Sequence, residues 1–456
     1  MPNPDRLTVL DELFLHLEGS ATPMHVGALA IVEGPQPAFH DVLEWVEGHL
    51  DRVPRLRHRL ASVPLALHRP VWIDDERFNL RRHVLRDRCR SPERPALAEL
   101  VASIMARPLD RARPLWEMRV IGDLWEGRWA LVVRSHHAMT DGVSAVEVLA
   151  SILEPTPRTT PPEAAPWTPR PAPTSDELFA EALRDRLGQT SGALEALRRA
   201  SEAGELEASA ARGLRALGEF VGGAFRAPPS RLNQPVRARR RFECVVAELD
   251  ELKRIGARAG ATVNDVVLTA VTGGLRLLLA GRGEDIDERG LRVLVPVSLR
   301  EVDRSPGNQV SALWATLPVH ERDPARRLGI VSAEMDDLKS SHQAEGGRLL
   351  VGVAEFLPSL AAAGAARLVP RQRAFNISVT NIPGPAHALY ARGRRVEEIY
   401  PVVPLAPNAT IAIALLSYNG AAAFGLLGDH DSTPDLVVLA EGIAKSIAEL
   451  TTAFDD

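Results

Sequence analysis

The chain has 456 residues, 45% of them apolar and 25% charged, with a formal net charge of −5; this is the composition of a soluble globular protein, too long for one core, and the length points to two domains. The mild acidity gives no support for nucleic-acid binding, and 51 arginines against three lysines reflect coding bias rather than phosphate recognition. The two cysteines, Cys89 and Cys244, are far apart and lack nearby metal-ligand partners, which excludes a disulfide framework or zinc ribbon and fits a reducing, cytoplasmic setting.

The N-terminal MPNPDRLTVLDELFLHLEG carries acids through its apolar stretch and does not read as a secretory signal. Val26–Val32 reads as a strand, 40–51 and 94–106 as amphipathic helices, and 129–135 as a strand. A helix follows over 142–153, where Val143, Val146, Leu149 and Ile152 recur at helical spacing. After Leu153 the proline-rich EPTPRTTPPEAAPWTPRPAPTSD cannot pack as helix or central strand and marks an exposed linker. Residues 176–226, rich in Ala, Leu, Arg and Glu, read as one or two helices that carry the chain across the molecule.

A second α/β pattern begins near Phe242, with helices at 248–259, 263–280 and 324–342 and strands at 292–297, 311–317, 375–381, 410–418 and 421–427. The charge-free run from Ile399 to Gly428 has the length of a membrane span, but Pro401, Pro404, Pro407 and the Asn419-Gly420 pair break it into two buried strands joined by a turn. No fixed-period repeat is present. The expected division is an N-terminal domain over 1–154, a linker with crossover helices over 155–228 and a C-terminal domain over 229–456.

The chemistry concentrates at His136 and His137, which end the 129–135 strand and precede Asp141 and Gly142. An imidazole near neutral pKa can take a proton from a hydroxyl and return it to a leaving group, provided its orientation is fixed. Neighbours on an extended chain point to opposite faces, so only one histidine faces a given cavity and the other packs. Asp141, at a helix start, reads as a cap or a structural ion pair. A His-His-Asp metal site is the other functional reading; the spacing puts no two imidazoles on one helix face and no second ligand cluster lies close in sequence, so no metal is expected. Further on, Thr262-Val-Asn264-Asp265 reads as a capping box.

His136-His137-Ala-Met-Thr-Asp141-Gly142 matches the His-His-x-x-x-Asp-Gly signature of the chloramphenicol-acetyltransferase-like acyltransferases and peptide-synthetase condensation domains. Leu10-Asp-Glu-Leu-Phe14, Thr22-Pro-Met-His-Val-Gly27, Pro108–Glu117 with its Pro114-Leu115-Trp116, Thr262–Val267 and Asn376-Ile-Ser-Val-Thr-Asn-Ile-Pro-Gly-Pro385 occur in an order that resembles the bacterial wax ester synthase/diacylglycerol acyltransferase family. The resemblance implies two chloramphenicol-acetyltransferase-like α/β domains, mixed sheets flanked by helices, with an active-site channel at their interface. It implies O-acyl transfer of a long chain from acyl-CoA to a fatty alcohol, giving wax ester, or to diacylglycerol, giving triacylglycerol, with no cofactor beyond the acyl-CoA substrate.

By the same resemblance His137 is the general base, His136 supports it, Asp141 anchors the loop by pairing with an arginine of the other half, Arg300 or the nearby Arg292, and Gly142 keeps the passage open. Asn264, Asn376, Thr380 and Asn381 become candidate polar groups at the reacting centre, able to donate to an oxyanion; for Asn376, Thr380 and Asn381, on or beside a strand, the alternative is that they satisfy strand backbone, while Asp265 stays structural. Pro114, Leu115 and Trp116 would shape the acyl channel or the domain interface. The basic run Arg237–Arg241 reads as a solvated strand start, with contact to CoA phosphates or anionic lipid headgroups as the functional alternative. Insoluble products imply a cytoplasmic enzyme at the periphery of a membrane or lipid droplet; no feature sets an oligomeric state. The competing readings are a condensation-type enzyme using carrier-protein thioesters and amines, against which the family segments count, an O-acyltransferase for complex envelope lipids or polyketide esters, and a non-catalytic lipid-binding protein, against which the intact histidine motif argues.

Overall fold

The computed structural model describes residues 5–139, 145–202, 227–286, 290–298, 310–340 and 374–455. In the first half, helix α1 (Val9–Leu17) precedes strand β1 (His25–Val32), α2 (Phe39–Glu47), the hairpin β2 (His58–Ala61) and β3 (Val71–Asp74), then β4 (Val84–Arg88), α3 (Arg94–Met105), β5 (Trp116–Gly122), β6 (Trp129–His136) and α4 (Ala145–Ile152). Helix α5 (Ser175–Glu202) follows the linker. The second half contains β7 (Arg240–Glu248), α6 (Leu249–Ala259), α7 (Val263–Gly281), β8 (Leu291–Ser298), β9 (Val310–Leu317), α8 (Pro324–Ser340), β10 (Ile377–Ile382), β11 (Tyr390–Ala391), β12 (Arg394–Val402), β13 (Ile411–Tyr418), β14 (Ala421–Asp429) and α9 (Leu436–Asp455).

Two six-stranded mixed sheets result, ordered β11-β12-β1-β6-β5-β4 and β7-β14-β13-β10-β8-β9. The apolar runs of β1 and β6 follow from burial on both faces. Ala28, Ala30, Leu131 and Val133 enter a core with α2 and α4, while Leu29, Ile31, Ala130 and Val132 enter another with α3. In the second sheet Ile411, Ile413 and Leu415 pack with α6, α7, α8 and α9. The Asn419-Gly420 turn has φ of 46° and 84° at its two residues, and it closes the β13–β14 hairpin as the sequence predicts.

Helix α7 is long and apolar enough to cross a membrane, but here it lies in the second core. Its capping box is present, Thr262 N–H donating to Asp265 Oδ2 at 2.8 Å and Asp265 N–H to Thr262 Oγ1 at 3.3 Å. A Cβ at Gly274 would stand 3.0 Å from the Leu439 carbonyl, so the close crossing with α9 depends on glycine.

The expected boundary at 229 is crossed by the chain itself. Strand β12 pairs antiparallel with β1 in the first sheet, although it belongs in sequence to the second half. Tyr418 of β13 packs into the first core, its hydroxyl donating to Val396 O at 2.8 Å. Gly425 of β14 abuts the Pro401 carbonyl of β12, a position any side chain would fill. The proline-rich linker is strapped to the first half: Arg170 donates from its backbone to Asp74 at 2.8 Å and from its guanidinium at 3.1 Å, and Arg57 lies over Trp167.

Candidate active site

Strand β6 ends at His136, and His137–Met139 turn at once into a 3-10 helix. Three backbone donors set this reversal. His136 N–H reaches Leu115 O at 2.9 Å, His137 N–H reaches Met24 O at 2.8 Å, and Ala138 N–H donates to His136 Nδ1 at 3.0 Å. Because an amide can only donate, Nδ1 is the acceptor nitrogen, and neutral His136 carries its proton on Nε2. That Nε2 lies 3.4 Å from Glu18 Oε1, and His25 Nε2, from the residue paired opposite His136 on β1, lies 3.2 Å from the same oxygen. The other carboxylate oxygen accepts from Arg111 Nη2 at 2.7 Å and Nε at 2.9 Å.

Helix α1 holds both histidines. Phe14 and Glu18 are four residues apart and so share one face of this helix and its C-cap. Phe14 stacks on the His137 imidazole with ring centroids 3.7 Å apart and planes 20° apart. One turn on, Glu18 meets His136, and Arg111 ties it down by also donating to Leu15 O at 2.7 Å. The result is one histidine packed against a carboxylate and its neighbour, already in the 3-10 turn, against an aromatic ring.

The electrostatics follow from burial. His25 and His136 are fully buried. Burial would raise the Glu18 carboxyl, but the close approach of the His136 and His25 imidazoles outweighs it and holds the group well below the carboxylate range. Burial pushes His25 down to about 4 against the pull of Glu18. His137 keeps part of its surface accessible, yet burial, helped by His136, pushes it to about 4 as well. At neutral pH its imidazole is therefore an uncharged base.

The other expected residues separate into groups. Pro114, Leu115 and Trp116 are buried in the first core, where the Leu115 carbonyl receives His136 and the Trp116 indole donates to Leu56 O at 2.8 Å. They brace the strand that carries the histidines. Asn376 is a correction: its Nδ2 hydrogens go to Pro228 O at 2.9 Å and Asn233 Oδ1 at 2.6 Å, and its Oδ1 accepts from Arg292 N–H at 2.8 Å. With both donors spent, it has none for an oxyanion. Thr380 and Asn381 lie on opposite faces of β10. Thr380 pairs with Ala414 on the face that turns to the first half, whereas Asn381 pairs with Leu415 and donates to Asn264 Oδ1, at the start of α7, at 3.5 Å. Asp265 is the cap already described. Asp141, Gly142 and Arg300 lie outside the described residues, as does 203–226 of the expected crossover helices.

The basic run is absorbed by the fold. Arg237 pairs with Asp431 at 3.0 Å, Arg241 donates to His430 O at 3.1 Å, and buried Arg240 donates to Ala21 O of the first half at 2.6 Å. Among the described residues the ligand atoms close enough together to hold a metal are those of His40, Asp41 and Glu44 on α2, with Asp41 half-buried and the other two exposed, and none of them belongs to the histidine turn. Sequence reasoning missed Phe14, Glu18, His25 and Arg111 as a set. Phe14, His25 and Arg111 sit in segments that carry the family resemblance, but nothing in sequence spacing says that residues 14, 18, 25, 111 and 136 meet.

The model of the wax ester synthase/diacylglycerol acyltransferase catalytic domain matches residues 7–267, and that of the WS/DGAT C-terminal domain matches 306–451. A protein of Mycobacterium tuberculosis named as a diacylglycerol O-acyltransferase is 34% identical, over 98% of this chain and 96% of its own. The solved wax ester synthase/diacylglycerol acyltransferase of Marinobacter aquaeolei VT8 is 26% identical with a TM-score of 0.70, covering 99% of this chain and all of that one. The first condensation domain of the calcium-dependent antibiotic synthetase shares the fold at 17% identity and a TM-score of 0.57, over 99% of this chain and 97% of its own. The chain, with its two mixed sheets and its paired histidines at the end of a first-sheet strand, belongs to the wax ester synthase/diacylglycerol acyltransferase family.

Proposed function

We propose that the protein transfers a long-chain acyl group from acyl-CoA to a fatty alcohol and to diacylglycerol, with His137 as the general base. The observation that carries this reading is an uncharged, partly accessible imidazole at a strand end, stacked on Phe14 and backed by the buried Glu18 cluster. The relatives' names support both acceptors, diacylglycerol in the Mycobacterium protein and alcohol as well in the Marinobacter one.

In this scheme His137 takes the hydroxyl proton as the acceptor oxygen bonds to the thioester carbon. The tetrahedral oxyanion then re-forms its carbonyl, the carbon–sulfur bond breaks, and the imidazolium returns the proton to the departing CoA thiolate. General base and acid assistance of this kind contributes about 10²–10⁴-fold. No covalent enzyme intermediate or cofactor takes part. Asp141 anchors the histidine loop by pairing with Arg300, Gly142 leaves the passage open, and Asn264, Thr380 and Asn381 remain the candidate polar groups near the reacting carbonyl. Because the products are insoluble, the enzyme works in the cytoplasm at the periphery of a membrane or lipid droplet.

The test is purified protein with long-chain acyl-CoA, fatty alcohol and diacylglycerol in competition, read by thiol release and by thin-layer chromatography of products. Wax ester and triacylglycerol with stoichiometric CoA are expected. No CoA release with either acceptor overturns the reading.

A further inference from the structure

A cleft of about 470 Å³ opens beside the β3–β4 connection and the 110–113 loop. Its wall is charged, but unevenly committed. Asp75 accepts from Arg77 N–H at 3.1 Å and faces Arg59, Glu76 accepts from Ala172 N–H at 3.1 Å, and Asp110 accepts from Ala112 N–H at 3.0 Å and pairs with Arg113 at 3.2 Å. Arg77 and Arg82 also line the cleft, and among the described residues neither guanidinium has a hydrogen-bond or ion-pair partner. The acids are thus occupied, and two cations are left facing the space.

The inner wall adds an independent observation. His83 is 3% exposed and lies in a ring stack, 5.3 Å from Phe78 and 4.9 Å from Trp116 between centroids. Its Nδ1 is 2.9 Å from Trp116 O, and a carbonyl only accepts, so Nδ1 carries the proton and Nε2 presents a lone pair. No described residue bonds to Nε2, and His83 lines the cleft. Burial lowers its pKa, with Asp75 and Glu117 opposing and Arg113 assisting.

We propose that this cleft binds a phosphomonoester, with Arg77 and Arg82 on the phosphate oxygens and His83 Nε2 accepting its P–OH. The chemistry selects a monoester over a diester. A monoester titrates near pH 6 and so still offers a P–OH to a neutral imidazole lone pair, whereas a diester has no such proton to offer. Guanidinium donors supply charge-assisted bonds to the remaining oxygens. The same loop serves the histidine turn: Asp110 and Arg113 line the cleft, Arg111 between them holds Glu18, and Leu115 receives His136. Two sources carry the group, the 3′-phosphate of the acyl-CoA donor, which rests on the acyl-transfer reading, and the head group of a phosphatidate-type lipid, which does not.

The experiment titrates full-chain protein with CoA, dephospho-CoA and adenosine 3′,5′-bisphosphate, and floats it with phosphatidylcholine vesicles containing phosphatidic acid or phosphatidylglycerol. The variant is Arg77→Ala/Arg82→Ala, both exposed positions, with a thermal melt to verify folding. CoA binding at least about tenfold tighter than dephospho-CoA, lost in the variant together with a rise in KM for acyl-CoA, supports the nucleotide source. Flotation with phosphatidic acid alone, lost in the variant, supports the lipid source. Equal binding of monoester and diester ligands, or a folded variant that binds like the wild type, overturns the proposal. These binding arms read out even if the protein turns over no acyl-CoA, so the two proposals fail separately.

Discussion

Two buried polar clusters, one in each half, do different jobs with different chemistry. At the start of β10, Asn376 meets Asn233, Arg292 and Pro228 through neutral groups, and each of its amide atoms has a well-formed partner. At the end of β6, Glu18 gathers His25, His136 and Arg111, and the two imidazole Nε2 atoms lie within 3.4 Å of the carboxylate without well-aligned hydrogen bonds. Full satisfaction serves the fold, since an unpaired buried donor costs about 1–3 kcal/mol. Incomplete satisfaction next to His137, the proposed base, is what a site kept for another purpose would show. The contrast also separates two asparagine-and-histidine motifs that look equally polar in sequence.

The largest expected effect comes from removing the reactive ring. His137→Ala should lower CoA release by about 10²-fold or more while the thermal melt stays near wild type, because the ring is only partly buried. A melt that collapses with the activity would move His137 to the structural side of the comparison. Glu18→Ala comes next. It strands the Arg111 guanidinium beside two buried imidazoles and should cost about 3–5 kcal/mol in urea melts, with Glu18→Gln recovering part of it.

The ionic cluster also predicts a pH response that the neutral one lacks. His25 is uncharged in the fold down to about 4 but takes a proton in the unfolded chain below about 6.5. Stability should therefore fall as pH drops from about 6.5 toward 4, and further below about 4.3, where the unfolded chain protonates Glu18 first. A flat urea-melt profile across that range would contradict the assigned charges.

Phe14→Ala tests the stack. With the ring gone, water reaches His137, and the acid limb of kcat/KM should move up from near 4 toward the ordinary imidazole value of about 6.5. An unmoved limb would mean that the stack does not shield the base. The smallest effect on activity is expected from Asn376→Ala. It should cost about 1–3 kcal/mol of stability and leave turnover per folded molecule within about twofold, where loss of an oxyanion donor would cost about 10²–10³.

Much of this was legible before any coordinates. The apolar runs of β1 and β6, the α7 capping box, the Asn419-Gly420 hairpin and the strand-to-turn position of His136 and His137 are local features, and local rules placed each within a few residues. Strand alternation predicted that the two histidines face apart; they do, although it is the 3-10 turn beginning at His137 that separates them. The same rule, applied to β10, would have separated Thr380 from Asn381. Other elements escaped because their periodicity is weak or their partners are remote: β4 is an edge strand that reaches β5 only through the α3 crossover, and β12 pairs with β1, far away in sequence.

By itself the sequence determined the class of the protein, its two α/β halves and the imidazole on which the proposed chemistry turns, since each is written in short motifs whose physics is local. Tertiary structure decided what those motifs touch. It put Phe14 on His137 and Glu18 on His136 from one helix face, spent the Asn376 amide on strand geometry, buried Arg240 in a contact between halves, and carried β12 across the expected boundary into the first sheet. The reason is physical: hydrogen bonds and stacking act over a few ångströms of space, and only folding sets which distant residues come within that reach.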